Sequence, residues 1–413
     1  MKKHNTTASM RMAREAASRI RHHDYPAAER LLDQALALDP NCCAALNARC
    51  LLLASTGRTP EAIELCTKTI AAHPADPQAY YDLAELHRRD GRLEQALSFI
   101  EQLFAKATVR SQASDTTRSR AYALCREVQE ARATRDHEAT VEMVEGFRRS
   151  TETLTGFRIV VSPGDIPEGL WVGVRTDWKL GHHVIRYSDS FPSLLLPHLL
   201  AGWFLRFEWT VQALRAGKSR FLTTTSATQP FLNGLLRLGR PYIKRLIRQG
   251  HDPAAIARAA ATDMANLLQT LYRCPIELIV ESKLRERLPA LAPAQFLAME
   301  RDLSAALNPV EQLRREQVRP RELLRAGLAF DCVRVLLHAS LSANTTKLPQ
   351  RYVATEVYPL ASKLWAAWSA LGPSLGPGDQ DRLVDAFAEL TGLRQGYEWT
   401  TSFPPGWPGA PNP

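Results

Sequence analysis

Along the first third of the chain, apolar positions recur at helical spacing, and the whole frame returns every 34 residues. Ala28, Ala62 and Ala96 form one such set, and Pro40 and Pro74 repeat the same step. Behind each alanine come further apolar or small positions: Leu32 with Ala35, Cys66 with Thr69, Ile100 with Leu103. The leading helices match in the same way, with Leu46, Cys50 and Leu53 in one unit and Tyr80, Leu83, Ala84 and His87 in the next. A period of this length means one helix–turn–helix unit per repeat, each burying its apolar face only against its neighbours. The small residues mark close helix crossings, and proline ends the second helix except in the third unit. The pattern predicts a helical stack over residues 9–135, about three units closed by a polar capping helix from about Ser119 to Thr134.

After a charged stretch from Arg126 to Arg149 the pattern changes near Thr155. Residues 156–163, 170–176 and 182–188 are rich in β-branched and aromatic residues and bounded by Gly, Pro and Asp, so they read as short strands. An apolar helix follows over Leu194–Glu208, and another is predicted over Cys274–Leu288. The stretch from Ala254 to about Ser340 is helical in period, punctuated by Pro289, Pro293, Pro309 and Pro320. Leu360, Leu364, Trp365 and Trp368 stand at core spacing in a helix over Tyr358–Leu371, and a short amphipathic helix closes near Gly392. The fold class expected is mostly α: an N-terminal α-solenoid, then an α+β, predominantly helical domain with a small sheet over 150–400. A proline-rich tail, 401–413, ends the chain.

Composition narrows the function classes only a little. Hydrophobic residues make up 45% and charged residues 23% of 413, the balance of a soluble globular protein. A net charge of +9 over that length does not by itself demand a nucleic-acid partner. Seven scattered cysteines with no Cys-x-x-Cys pair argue against a disulfide framework and a zinc knuckle. The first residues have positive charges without an apolar run, and Ser190–Leu205 is too short to span a bilayer. A cytoplasmic location, with no membrane association, is the expectation.

The repeating segments DYPAAERLLDQALALDP, RTPEAIELCTKTIAAHP and GRLEQALSFIEQLFAKA closely resemble tetratricopeptide repeats. In that family the first helices of the units line a concave face that holds a peptide or a partner helix. The resemblance implies Arg21, Asn47, Tyr81, Glu85 and Arg88 as groove residues here. Arg21, Arg88 and Arg89 would make the groove mildly basic and suit it to an acidic protein segment. The same positions also read as ordinary solvated helix residues.

A second resemblance rests on the strings LLAGWFLRF, GKSRFLTTT (Gly217–Thr225) and CPIELIVE (Cys274–Glu281). Short strands, a buried apolar helix and a later acidic helix are similar to a zincin-type metallopeptidase of the gluzincin branch, in bacterial proteins that join such a domain to tetratricopeptide repeats. There the buried helix carries His-Glu-x-x-His, whose histidines bind zinc while the Glu acts as general base, and a later Glu is the third ligand. Gly202, Trp203 and Arg206 stand at those three helix positions, with Glu281 at the later one. Glycine and tryptophan offer no ligand, and arginine is a permanent cation. A dication about 4 Å from that guanidinium is repelled by roughly 8 kcal/mol at an effective dielectric of about 20. Moving the frame to His198 places Gly202 at the second position. The resemblance therefore implies a pseudoenzyme that has lost its metal site, with no cofactor. Arg206 either pairs with Glu281 where the metal would lie or stands on the helix surface without a partner.

Other candidates are weaker. His182 and His183 read as solvated turn histidines, His251 and His338 as structural or surface groups, and Thr223–Thr225 as a β-edge or helix cap. Arg237, Arg240, Lys244, Arg245 and Arg248 fall at helical spacing, a basic stripe or simply a solvated face, with Pro241 limiting the helix. The preferred function is a protein-binding scaffold or regulator, more a pseudo-metallopeptidase than an enzyme. The rivals are a zinc peptidase with unrecognised ligands and a nucleic-acid-binding module using the 237–248 stripe.

Overall fold

The computed structural model describes residues 2–106, 112–167, 170–177, 179–238, 240–305, 311 and 321–401. The chain divides into two compact units, Met1–Arg132 with Ser342–Lys347, and Ala133–Leu341 with Leu348–Pro413.

The first unit is built from antiparallel helix pairs: α1 (Lys2–Arg21) with α2 (Tyr25–Leu38), α3 (Cys43–Ser55) with α4 (Thr59–Ala72), and α5 (Pro77–Arg89) with α6 (Leu93–Lys106). Helix α7 (Gln112–Arg135) follows. Local chemistry sets the starts. Asp24 and Asp76 cap α2 and α5 by accepting from the amides of Ala27 and Gln78, with a proline in the first turn of each. The periodic alanines Ala28, Ala62 and Ala96 are fully buried, as the repeat pattern requires. Thr69 occupies a buried position where a small apolar residue is usual, and its hydroxyl donates to the carbonyl of Leu65 at 2.8 Å. That bond satisfies the only polar group the substitution brings in.

In the second unit, α8 (His137–Thr155) leads into a three-stranded sheet of β1 (Arg158–Pro163), β2 (Val172–Asp177) and β3 (His182–Tyr187). The order is β1-β3-β2, with β1 parallel and β2 antiparallel to β3. Helix α9 (Leu196–Arg215) is followed by β4 (Phe221–Thr223), α10 (Gln229–Leu238), α11 (Arg240–Arg248) and α12 (Pro253–Arg287). Then come α13 (Ala292–Ala305), α14 (Arg321–Leu341), the single turn α15 (Gln350–Val353), α16 (Tyr358–Leu371) and α17 (Gln380–Thr391). Strand β5 (Glu398–Thr400) returns to pair antiparallel with β4. One core gathers Leu271, Leu278, Phe330, Val333, Leu364 and Phe387 from α12, α14, α16 and α17. A second seals α8, α9 and the sheet against the end of α12 through Phe147, Ile159, Ile185, Phe204, Val280 and Leu284.

Several elements differ from the pattern-based expectation. Helix α8 lies largely within a stretch read only as charged, because threonines take inward positions. Thr151 and Thr155 are buried, with their hydroxyls donating to Glu208 Oε1 and to the carbonyl of Thr151. Helix α12 does not begin at Cys274 but runs 35 residues, straight through Pro275. Proline there removes one ladder bond, yet Leu271, Cys274, Leu278 and Ile279 on either side are all buried. Packing outweighs the local break. Strand β5 is too short to stand out by composition, and residues 402–413 of the predicted tail lie outside the described residues. No helix among the described residues is long and apolar enough to cross a membrane.

Candidate functional site

Helices α9 and α12 of the second unit bound a cavity of about 630 Å³. Helix α9 contributes His198, Gly202, Trp203 and Arg206 to its lining, and α12 contributes Glu277 and Glu281. Of the two readings of Arg206, the pairing with Glu281 is the one the structure does not show. Glu281 Oε2 lies 2.9 Å from Nε2 of His198. Gln295 Nε2 donates to the same oxygen and to the Glu281 carbonyl, at 2.8 Å each. Arg285 in turn holds Gln295 Oε1 at 2.9 Å. Burial works against charge on both His198 and Glu281, but each outweighs that for the other. The imidazole is raised above its ordinary pKa, and the carboxyl is pulled down to about 2.

Arg206 lies two turns further along α9 and lines the same cavity. Burial lowers its pKa; the carboxylates of Glu277 and then Glu281 oppose that. Its guanidinium lies 5.2 Å from the ring centre of Trp203. Among the described residues its side chain has no hydrogen-bond or ion-pair partner. Glu277 is taken by Arg334 at 2.8 Å and by Arg273 at 3.6 Å. Gly202 sits where α9 crosses α12, and a Cβ there would meet Leu284 and Val280 only at 3.8 and 3.9 Å. Glycine is therefore tolerated at the crossing, not demanded by it.

For zinc the donor set does not fit. His198 and Glu281 supply two donors and already bind each other, while Gly202, Trp203 and Arg206 supply none. Among the described residues no three of His, Cys, Asp and Glu converge as a ligand set.

In the first unit the leading helices α1, α3 and α5 pack in sequence, side by side. Asn47 on α3 donates to Asp76 Oδ2 at 2.9 Å, tying α3 to the cap of α5. Tyr81 lies under the guanidinium of Arg120, 4.2 Å from its ring centre. Glu85 binds both Arg88 and Arg89, at 2.9 and 2.7 Å, and Arg88 also approaches Glu127 at 3.7 Å. The basic character expected of these positions is thus largely neutralised: Arg88 and Arg89 share one carboxylate at i+3 and i+4 spacing. Arg21 is exposed at the end of α1. Asp82, absent from the sequence-based set, accepts from Gln78 Nε2 at 2.8 Å, and burial pushes its carboxyl up to about 7.

Two family models, both described as Tetratricopeptide repeat, match residues 14–77 and 53–115. These helices are tetratricopeptide repeats. No curated protein and no solved structure matches the chain. None of these comparisons supports the metallopeptidase likeness of residues 150–400. The tetratricopeptide region accounts for Asn47, Tyr81, Glu85 and Arg88, all on its leading helices, and brings Tyr81 together with Arg120 of α7.

The remaining candidates fall elsewhere. His183 is not a solvated turn residue: it is buried in β3, its ring stacked 3.8 Å from that of Phe207. Burial lowers its pKa to about 4. His182 is half-buried in the same strand, and His251 is exposed. His338 is buried with Nε2 at 2.8 Å from Glu300, a structural contact. Thr223 ends β4, and the Thr225 amide donates to Thr228 Oγ1 just before α10. Lys244, Arg245 and Arg248 are exposed on α11, while the side chains of Arg237 and Arg240 lie outside the described residues. In the sequence His198 stood only as a rejected zinc position, and Gln295 carried no signal at all. The available signal was one ionisable residue on the inner side of an apolar helix, which needs a partner once buried.

Proposed function

We propose that this chain is a protein-binding scaffold or regulatory protein. The tetratricopeptide region docks a segment of a partner protein, and the second unit is a metallopeptidase-like frame without zinc chemistry. The observation that carries the first half is the run of matched repeats over residues 14–115, whose leading helices carry Asn47 and Tyr81, with Arg120 of α7 stacked on the Tyr81 ring. With Arg88 and Arg89 already shared by Glu85, the preference for an acidic segment rests on Arg21 and Arg120. The second half is supported by the donor chemistry at Glu281, which is committed to His198 and Gln295.

The full chain used as bait in a native extract, beside its Tyr81→Ala variant, tests this reading. A partner retained by the parent and lost by a variant with unchanged thermal unfolding is the expected result. Equal retention by both places the binding outside the groove. For the nucleic-acid alternative, affinity for a generic duplex falling steeply with salt is the contrary result.

A further inference from the structure

Within the α9–α12 cavity nearly every charge is matched. Glu281 is held by His198, Glu277 by Arg334 and Arg273, and Asp302 by Arg301 at 2.8 Å. Arg334 also reaches Asp331 at 3.5 Å. Arg206 is the cation left over: among the described residues it has no carboxylate within ion-pair reach, though it lines the cavity beside Trp203. A second guanidinium is also incompletely used. Arg301 stacks 4.7 Å from the ring of Phe191 and 5.4 Å from that of Trp171, and its Nη1 is buried with no hydrogen-bond partner among the described residues. Trp171 lines the same cavity and is 47% exposed, an unusual state for so large an apolar ring.

We propose that this cavity binds a small organic carboxylate, its headgroup received by Arg206 and its apolar body lying against Trp203 and Trp171. A guanidinium presents paired N–H donors that match the two oxygens of a carboxylate, and partial burial strengthens the contact. The surplus of one cation selects a monoanion. The second negative charge of a phosphomonoester would face Glu277, Glu281 and Asp302 in the same space. A volume of about 630 Å³ suits a ligand of metabolite size with an apolar body. The site is independent of the tetratricopeptide groove, so the two readings fail separately.

Calorimetric titration of the full chain with 4-phenylbutyrate, its neutral amide 4-phenylbutanamide, and phenyl phosphate tests the proposal. Saturable binding of the carboxylate is expected, with the amide about tenfold or more weaker, the effect of one charge-assisted contact. Arg206→Gln is expected to bring the carboxylate down to the level of the amide, and Trp171→Ala to weaken both. Absence of saturable binding at millimolar carboxylate, equal affinity for amide and carboxylate, tighter binding of phenyl phosphate, or undiminished binding by Arg206→Gln each overturns it. Because the comparison of ligands uses the unaltered chain, the result stands even where a variant fails to fold.

Discussion

His23, Gly57 and Gly91 occupy the same turn of successive repeats, 34 residues apart, with φ of 60°, 80° and 73°. Glycine adopts that left-handed conformation freely, whereas a residue with a Cβ is strained by about 1–2 kcal/mol. His23→Gly is therefore expected to raise stability by about 0.5–1 kcal/mol, the relief of strain less the added chain entropy. Gly57→Ala should lower it by about 1 kcal/mol or more although nothing lies within 4 Å of the new Cβ. Urea midpoints of the two variants check both signs. A second residue gives a pH signature. His183 titrates near 4 in the fold and near 6.5 when unfolded, so the unfolded chain binds more protons between those values. Stability should fall as pH drops from 6.5 towards 4, by about 3 kcal/mol in full, and His183→Phe should flatten that slope. The raised pKa of His198 acts in another window: its contribution is complete below 6.5 and lost as pH rises through its folded value. The 34-residue step fixes where the turn recurs, though His23 shows that it does not fix the residue found there. The burial of His183 does not follow from the sequence pattern, because its strand alternation leaves open which face is covered.

At the scale of elements, α9 and α12 both carry ionisable groups inward, and they are joined by the His198–Glu281 contact and by Arg287 donating to the buried Glu208. Removing one member strands the other in a buried site, which costs about 3–5 kcal/mol for such pairs. Glu281→Ala is accordingly expected to destabilise by about 3 kcal/mol, and Glu281→Gln, which keeps a hydrogen-bonding group, by less. Chemical denaturation of the full chain decides between those magnitudes. The helices themselves were readable from period, but their lengths were not. The predicted helix opened at Cys274, beside a proline that removes a ladder bond, whereas Leu271 and Leu278 on either side continue the core across it. Helix α8 stayed hidden for the opposite reason, since Thr151 and Thr155 look polar until their hydroxyls are seen to be satisfied.

At the scale of the whole molecule, a tetratricopeptide region and a helical second unit share one chain. On the proposed reading zinc holds neither unit together. Purified full chain should carry well under one equivalent of zinc by elemental analysis, and a chelator should leave its melting temperature unchanged. A chelator-dependent drop, abolished by Glu281→Ala, is the result that would restore the hydrolase. By itself the sequence determined the repeat stack, the three strands of the first sheet and the absence of an intact His-Glu-x-x-His, because period, β-branched runs and motif residues are local properties of the chain. Only the tertiary structure decided that Glu281 meets His198, that Glu85 absorbs two arginines, and that Arg206 is left over. Those outcomes depend on which helix faces cross and at what level, and partners such as residues 198 and 281, far apart in sequence, leave no periodic trace of their meeting.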